Sequence, residues 1–292
     1  MKPPSFDYEA PETIEQAVKL LDANSFDAKL LAGGQSLMPL LNMRLARPAL
    51  LIDLARIPAL DYVREEGGAL RVGAMTRQRT LELSETVRTK LPLLHAGVLH
   101  IAHPQNRNQG TVGGSLAHAD PAAELPALAL ALDAELTVVG PQGTRTIAAR
   151  DFFVTYLTTS LEPSEIVTES RWPLLTARSG WSVAELARRH GDFALAGAVA
   201  IVRLDGSGRA AEVRVVLFGV GAKPLRMASA EKHLLGEKPD ERSFARAAAQ
   251  AAGEIEEPLS DVHATADYRR SLAAVLVRRA LKEAAARAGA SL

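Results

Sequence analysis

Two glycine pairs, far apart in the chain, constrain its fold more than any other feature. The first stands in Leu31-Ala32-Gly33-Gly34-Gln35-Ser36-Leu37, the second in Gly110-Thr111-Val112-Gly113-Gly114-Ser115-Leu116. In each, a serine and a leucine follow the pair, directly or after one residue. Each lies between an apolar run and a stretch of helical character. Glycine lets the main chain approach a ligand closely and adopt φ > 0. Consecutive amide N–H groups then converge on an anion, and a helix N-terminus adds partial positive charge. A single Gly-Gly is usually a turn. Two loops with the same small-residue grammar point to one ligand with a pyrophosphate, gripped from two sides. Neither is a Walker A loop, because no Gly-Lys-Ser/Thr follows, and neither has the G-x-G-x-x-G spacing.

The 292 residues suffice for two domains of ~100–200 residues each. At 47% hydrophobic and 23% charged, the chain reads as globular. Its 34 basic and 34 acidic residues cancel, so no strong field draws nucleic acid or an anionic membrane. The chain has no cysteine, which excludes disulfides, a cysteine-held zinc, a thiol nucleophile and an iron–sulfur cluster of its own. His95, His100 and His103 are close in sequence without a carboxylate at ligand spacing, so no metal site is expected. The N-terminus lacks the apolar segment and cleavage site of a signal peptide. No apolar stretch reaches the ~20 residues of a membrane span. A cytoplasmic protein is expected.

Helical spacing runs from Glu12 to Asn24 through Ile14, Ala17, Val18 and Leu21. Lys29–Ala32 and Leu50–Leu54 read as strands, and Ser36 is placed to cap a short helix over Leu37–Met43. A β-α-β unit therefore frames the first loop. Ala69–Gly73 and Leu136–Val139 read as strands, the latter running into a hairpin turn at Gly140–Gly143. Leu91–Ala102 has helical character. Asp120-Pro121 reads as an N-cap with proline at the first helical position, opening a helix over Ala122–Leu132. Composition shifts between Pro173 and Gly180, where a domain boundary is placed. Beyond it, Trp181–Ala187, Gly197–Leu204 and Glu212–Gly219 predict a three-stranded antiparallel sheet, with a turn at Asp205–Gly208. Helices back it, the last with a stripe of Ala273, Val277, Ala280, Leu281, Ala284 and Ala288.

With the loops placed, the chain resembles the FAD-binding medium subunit of molybdenum hydroxylases, of the carbon monoxide dehydrogenase type. Four segments carry the resemblance: Ala32–Leu37, Arg107–Ser115, Ala117–Glu124 and Arg188–Ala194. The resemblance implies an α+β fold: a two-part FAD-binding domain of the vanillyl-alcohol-oxidase type over 1–175 (parts of about 1–55 and 56–175), and a smaller C-terminal domain over 176–292. It implies that Ala32, Gly33, Gly34, Gln35 and Ser36, flanked by Leu31 and Leu37, hold the FAD pyrophosphate. Thr111, Gly114 and Ser115 would hold its other side. His118 and Glu124 would lie near the ribityl chain and sugar. Ile101, Ala102 and Val167 would lie against the flavin ring, with Asp192 and its neighbouring arginines closing over the site. Gln109 and Glu185 depart from the family pattern, the first where an arginine or histidine is expected and the second where some relatives carry a lysine.

The resemblance further implies partners: a large subunit with the molybdopterin cofactor and a small subunit with iron–sulfur clusters, assembled as a dimer of heterotrimers. FAD here would collect electrons and pass them to an external acceptor. No catalytic residue is then expected in this chain. A stand-alone flavin oxidase of the same superfold would need its own acid or base near the flavin, and a non-catalytic nucleotide-binding module would hold no flavin.

Overall fold

The computed structural model describes residues 2–290. The outermost residues of the two expected domains, 1 and 291–292, lie outside these. At the N-terminal end, β1 (Asp7–Glu9), β2 (Ala28–Leu31) and β3 (Leu50–Asp53) form a parallel sheet in the order β1-β3-β2. Helix α1 (Ile14–Ala23) packs here through Ala17, Val18 and Leu21, and Thr13 caps it by accepting from the Gln16 amide at 3.2 Å. The short α2 (Leu37–Asn42) links β2 to β3, so a β-α-β unit does frame the first glycine loop.

A five-stranded antiparallel sheet follows. It contains β4 (Val63–Glu66), β5 (Ala69–Gly73), β6 (Glu135–Gly140), β7 (Gly143–Ala148) and β10 (Ile166–Pro173), in the order β4-β5-β10-β6-β7. Between β5 and β6 the chain makes six helices: α3 (Gln78–Leu83), α4 (Glu85–Lys90), α5 (Pro92–Val98), α6 (Pro104–Gln109), α7 (Val112–His118) and α8 (Glu124–Ala131). After β7 come α9 (Ala149–Phe152) and a ribbon of β8 (Phe153–Thr155) and β9 (Thr158–Thr159). Helix α8 is buried from Leu125 to Ala131. A helix that is apolar all round belongs inside a core, and α8 is the centre of this one.

Two expected helices are shorter than their patterns suggested. The helix expected over Leu91–Ala102 ends at Val98, and residues 99–103 form an irregular turn. The helix expected from Ala122 starts at Glu124. The Asp120 carboxylate accepts from the Ala122 amide at 2.8 Å, closing a local turn in place of a first helical turn.

The C-terminal part carries β11 (Ser179–Ala187), β12 (Ala194–Leu204), β13 (Ala210–Phe218) and β14 (Leu225–Arg226) as a sheet in that order, antiparallel throughout. The three expected strands are joined at the edge by β14, whose two residues are too few to create an alternation signal. Helices α10 (Ala228–Leu234), α11 (Glu241–Gly253) and α12 (Ala266–Arg287) cover one face. Strand β12 is apolar on both sides. Ala196, Ala198, Ala200 and Val202 face the α10–α12 core, while Val199 and Ile201 join the core around α8. Period-two alternation therefore sends one strand into two cores.

Candidate functional site: a cradle between two glycine loops

The fold brings the two glycine loops together. A Cβ on Gly33 would stand 2.4 Å from the Gln109 carbonyl oxygen and 2.8 Å from the Gly110 Cα, so only glycine lets the loops meet. Gly34 has φ +71°, a left-handed conformation that glycine adopts without strain. A Cβ on Gly114 would lie 3.3 Å from the Ala32 Cβ. Asn106 Nδ2 donates to Gln35 Oε1 at 3.2 Å, and Gln35 Nε2 donates to the Gly33 carbonyl at 3.2 Å.

Within the first loop, the consecutive amides of Gly33, Gly34, Gln35, Ser36 and Leu37 donate to no protein acceptor among the described residues. Ser36 occupies the N-cap position of α2, yet its side chain makes no capping bond, contrary to the capping role expected for it. Its backbone there is helical (φ −101°, ψ −42°) rather than the extended conformation that aims a capping oxygen at the helix amides. Leu31 closes β2 and Leu37 opens α2, so the loop spans the β2–α2 turn.

The second loop spends its amides internally. Val112 and Gly113 donate to the carbonyls of Thr76 and Ala74 at 3.0 and 2.8 Å. Thr111 caps α7, its Oγ1 accepting from Gly114 at 3.1 Å. The Ser115 hydroxyl has no protein partner among the described residues, as is true of the Ser36 hydroxyl. The pair thus offers a run of free amides and two free hydroxyls, with no acidic side chain in either loop. That donor set fits the pyrophosphate of a dinucleotide cofactor.

Ile101 and Ala102 lie in the turn between α5 and α6, one short helix before the second loop. Ala102 has φ +41°. Arg107 of α6, only 5% exposed, donates from Nη1 to the Ile101 and Ala102 carbonyls at 2.6 and 3.3 Å. Its Nε and Nη2 donate to the Glu82 carboxylate at 2.8 and 3.1 Å. The Arg107 hydrogen bonds hold the Glu82 carboxyl down at about 2, and Arg79 adds to this from 2.6 Å. Sequence reading did not single out Arg107 or Glu82 for these roles, because their partners are not neighbours in the chain.

Beyond the loops lies a group of buried ionisable side chains. Glu124 opens α8, and burial, reinforced by the nearby Glu185, pushes its carboxyl up to about 8. Glu185 of β11 has a side chain only 6% exposed, and burial pushes it up to about 7. Its Oε2 accepts no hydrogen bond and lies 3.7 Å from His100 Nδ1. Burial, and next His190, lower His100; burial also lowers half-buried His118, against the pull of Asp120. Both imidazoles are therefore neutral at neutral pH, and the His100–Glu185 approach is not an ion pair there.

The remaining expected residues are less central. Val167 of β10 is 5% exposed and belongs to the main core, although β10 packs against α7. Asp192 is exposed in the 188–193 loop. That loop reaches the α5–α6 turn through His190, which stacks on His103 with ring centroids 6.1 Å apart, and through Gly191, packed on the same ring. Gln109 is exposed and acts through its carbonyl, which accepts from Arg77 and faces Gly33, so its side-chain type leaves the loop contact unchanged.

A cradle of free amides and hydroxyls on a β-α-β unit, joined to a buried helical layer, is suited to a phosphate-bearing cofactor. Comparison with known proteins gives the class. The profile of the FAD binding domain in molybdopterin dehydrogenase matches residues 4–175, and that of the CO dehydrogenase flavoprotein C-terminal domain matches residues 181–284. The 6-hydroxypseudooxynicotine dehydrogenase complex subunit alpha of Paenarthrobacter nicotinovorans is 43% identical, over 99% of this chain and 97% of that one. The carbon monoxide dehydrogenase medium chain of Hydrogenophaga pseudoflava is 42% identical, over 98% and 99%. The structure of that carbon monoxide dehydrogenase lacking the Mo-pyranopterin moiety superposes with a TM-score of 0.95, covering 98% of this chain and 99% of that one. Quinoline 2-oxidoreductase from Pseudomonas putida 86 superposes at 0.94, with 37% identity and 99% of each chain covered. The chain belongs to the family of FAD-binding flavoprotein subunits of molybdenum hydroxylases, and is an oxidoreductase subunit.

Proposed function

We propose that this chain is the FAD-binding electron-transfer subunit of a heteromeric molybdenum hydroxylase. In this reading it takes electrons from iron–sulfur clusters on a small partner subunit and passes them to an external acceptor. Substrate oxidation takes place on a large partner subunit with the molybdopterin cofactor, in a dimer of heterotrimers. When bound, FAD supplies the exchange between one-electron and two-electron transfer, and the protein supplies binding and orientation. The free amides of Gly33–Leu37, set against the second loop, carry the proposal.

Ala32–Ser36 hold the pyrophosphate through backbone amides and the Ser36 hydroxyl, with Leu31 and Leu37 shaping the loop. Thr111, Gly114 and Ser115 form its other wall. Because the Gly114 and Ser115 amides both donate to Thr111, Ser115 contributes chiefly through its hydroxyl. His118 and Glu124 face the sugar side. Ile101, Ala102 and Val167 line the ring, and Asp192 belongs to the loop that closes over it. We also propose that the FAD-binding domain is residues 1–175 and the C-terminal domain 176–292. Relatives of comparable identity are named for different substrates, 6-hydroxypseudooxynicotine, carbon monoxide and quinoline. This subunit type therefore does not by itself set the substrate.

The test is expression alone and with the adjacent-subunit partners. Alone, the chain holds FAD and oxidises no organic substrate. With both partners, it supports substrate-dependent reduction of an artificial acceptor. Robust turnover of an organic substrate by the isolated chain overturns the proposal in favour of a stand-alone flavin oxidase.

A further inference from the structure

We infer that Arg107 is a positioning residue, whose guanidinium holds the Ile101–Ala102 turn in the shape presented to the flavin. The inference rests on the proposal above that this turn lines the ring.

The geometry has three parts. First, two consecutive carbonyls, those of Ile101 and Ala102, point at one guanidinium nitrogen, Arg107 Nη1. Carbonyls of neighbouring residues in extended chain point in opposite directions, so aiming both at one donor requires a curled backbone. Ala102 supplies the curl at φ +41°, a region that residues with a Cβ occupy only when their surroundings hold them there. Second, the guanidinium is itself fixed. Its other edge makes a two-point contact with Glu82, and Arg79 also grips Glu82, at Oε1. Third, the anchor is tied to the second loop, because the Gln78 amide at the start of α3 donates to the Gly110 carbonyl at 2.8 Å. One buried side chain thus ties α3 to the ring-facing turn, and α3 in turn holds the second glycine loop. Only arginine does this, since a lysine ammonium brings the charge without the planar fork.

A structural clip and a positioning residue make different predictions for the bound cofactor. In full-length Arg107→Lys, FAD affinity falls ~tenfold and the flavin midpoint potential and visible band shape shift, because the turn relaxes away from its left-handed conformation. Adding Ala102→Gly recovers much of the affinity, since glycine takes that conformation without being held. If Arg107→Lys fails to fold, Glu82→Gln serves instead. It loosens the two-point anchor and moves affinity and potential in the same direction by less. Wild-type affinity and potential in Arg107→Lys, or in Glu82→Gln where that variant is used, overturn the inference whatever happens to the melting temperature. So does a lack of recovery with Ala102→Gly. A wild-type chain that takes up no FAD overturns the functional proposal and this inference together, whereas a wild type that binds FAD beside an indifferent variant overturns only the inference.

Discussion

The two glycine loops share a sequence grammar and differ in what they do with their backbones. In the first, the amides from Gly33 to Leu37 donate to no acceptor among the described residues, and the Ser36 hydroxyl makes no cap. In the second, Val112, Gly113, Gly114 and Ser115 all donate within the protein. The glycines differ accordingly. Gly34 supplies a left-handed residue to the first loop, whereas Gly113 sits where a Cβ would come within 2.5 Å of the Ala74 Cβ and 2.8 Å of its Cα. One loop leaves its amides open and the other spends them on packing, offering only its Ser115 hydroxyl. A glycine pair reports that the backbone must come close to something, and only the hydrogen-bond accounting tells whether that something is ligand or protein.

The sharpest way to break this comparison is to place the same side chain in both loops. Gly33→Val drives a Cβ into the Gln109–Gly110 backbone and separates the loops, so FAD affinity falls by more than ~100-fold while far-UV circular dichroism changes little. Gly113→Val overpacks α7 against Ala74 and lowers stability by about 3 kcal/mol, seen as a fall in the apo melting temperature. Full flavin occupancy in Gly33→Val means that the first loop is only a turn.

The contrast extends to charge. The first loop holds no ionisable side chain, whereas the second leads into His118, Asp120 and Glu124, with Glu185 facing them from β11. Glu124 and Glu185 are raised to about 8 and about 7, above their values in the unfolded chain. The native state therefore binds more protons, and its stability falls as pH rises through those values. The lowered His100 and His118 act in the opposite sense, favouring the native state above the usual histidine pKa and costing stability below it. The acid pair is thus read between about pH 7 and 9, where unfolded-state histidines are neutral. The apo melting temperature should fall across that window, with the pair responsible for a loss on the order of 2 kcal/mol between pH 7 and 9. Glu185→Gln should flatten the slope, and an unchanged slope would remove the pair as its cause.

The smallest effects separate the two hydroxyls at the helix starts. Thr111→Ala removes the α7 cap and costs about 1 kcal/mol of stability. Ser36→Ala removes no intramolecular bond, so the melting temperature stays put while FAD affinity drops roughly fivefold, the equivalent of one hydrogen bond. Equal losses of stability in both variants would erase the distinction between the loops.

Local patterns made much of the architecture legible. The α1 stripe, the turn at Asp205–Gly208 and the three long C-terminal strands follow from periodicity and turn chemistry. The start of α8 was misread because Asp120-Pro121 satisfies a capping pattern and a local turn equally well. The Asp120 bond to Ala122 decided for the turn. Strand β14 was missed because two residues carry no period. The site was legible where its residues are contiguous, as in Gly33–Ser36, and opaque where they are not. Nothing near Arg107 in sequence announces Glu82, and nothing near Glu124 announces Glu185.

The sequence by itself determined what is local and additive: two loops able to bring backbone close to an anion, strands and helices with the right apolar faces, no cysteine to hold a cluster, and the motif order that marks the family. The tertiary structure decided which amides stay free, which carboxyls lose water and which guanidinium holds the α5–α6 turn. Those outcomes depend on neighbours that chain folding brings together from distant positions. A free N–H, a buried charge and a strained φ are properties of surroundings, which no single segment of the sequence contains.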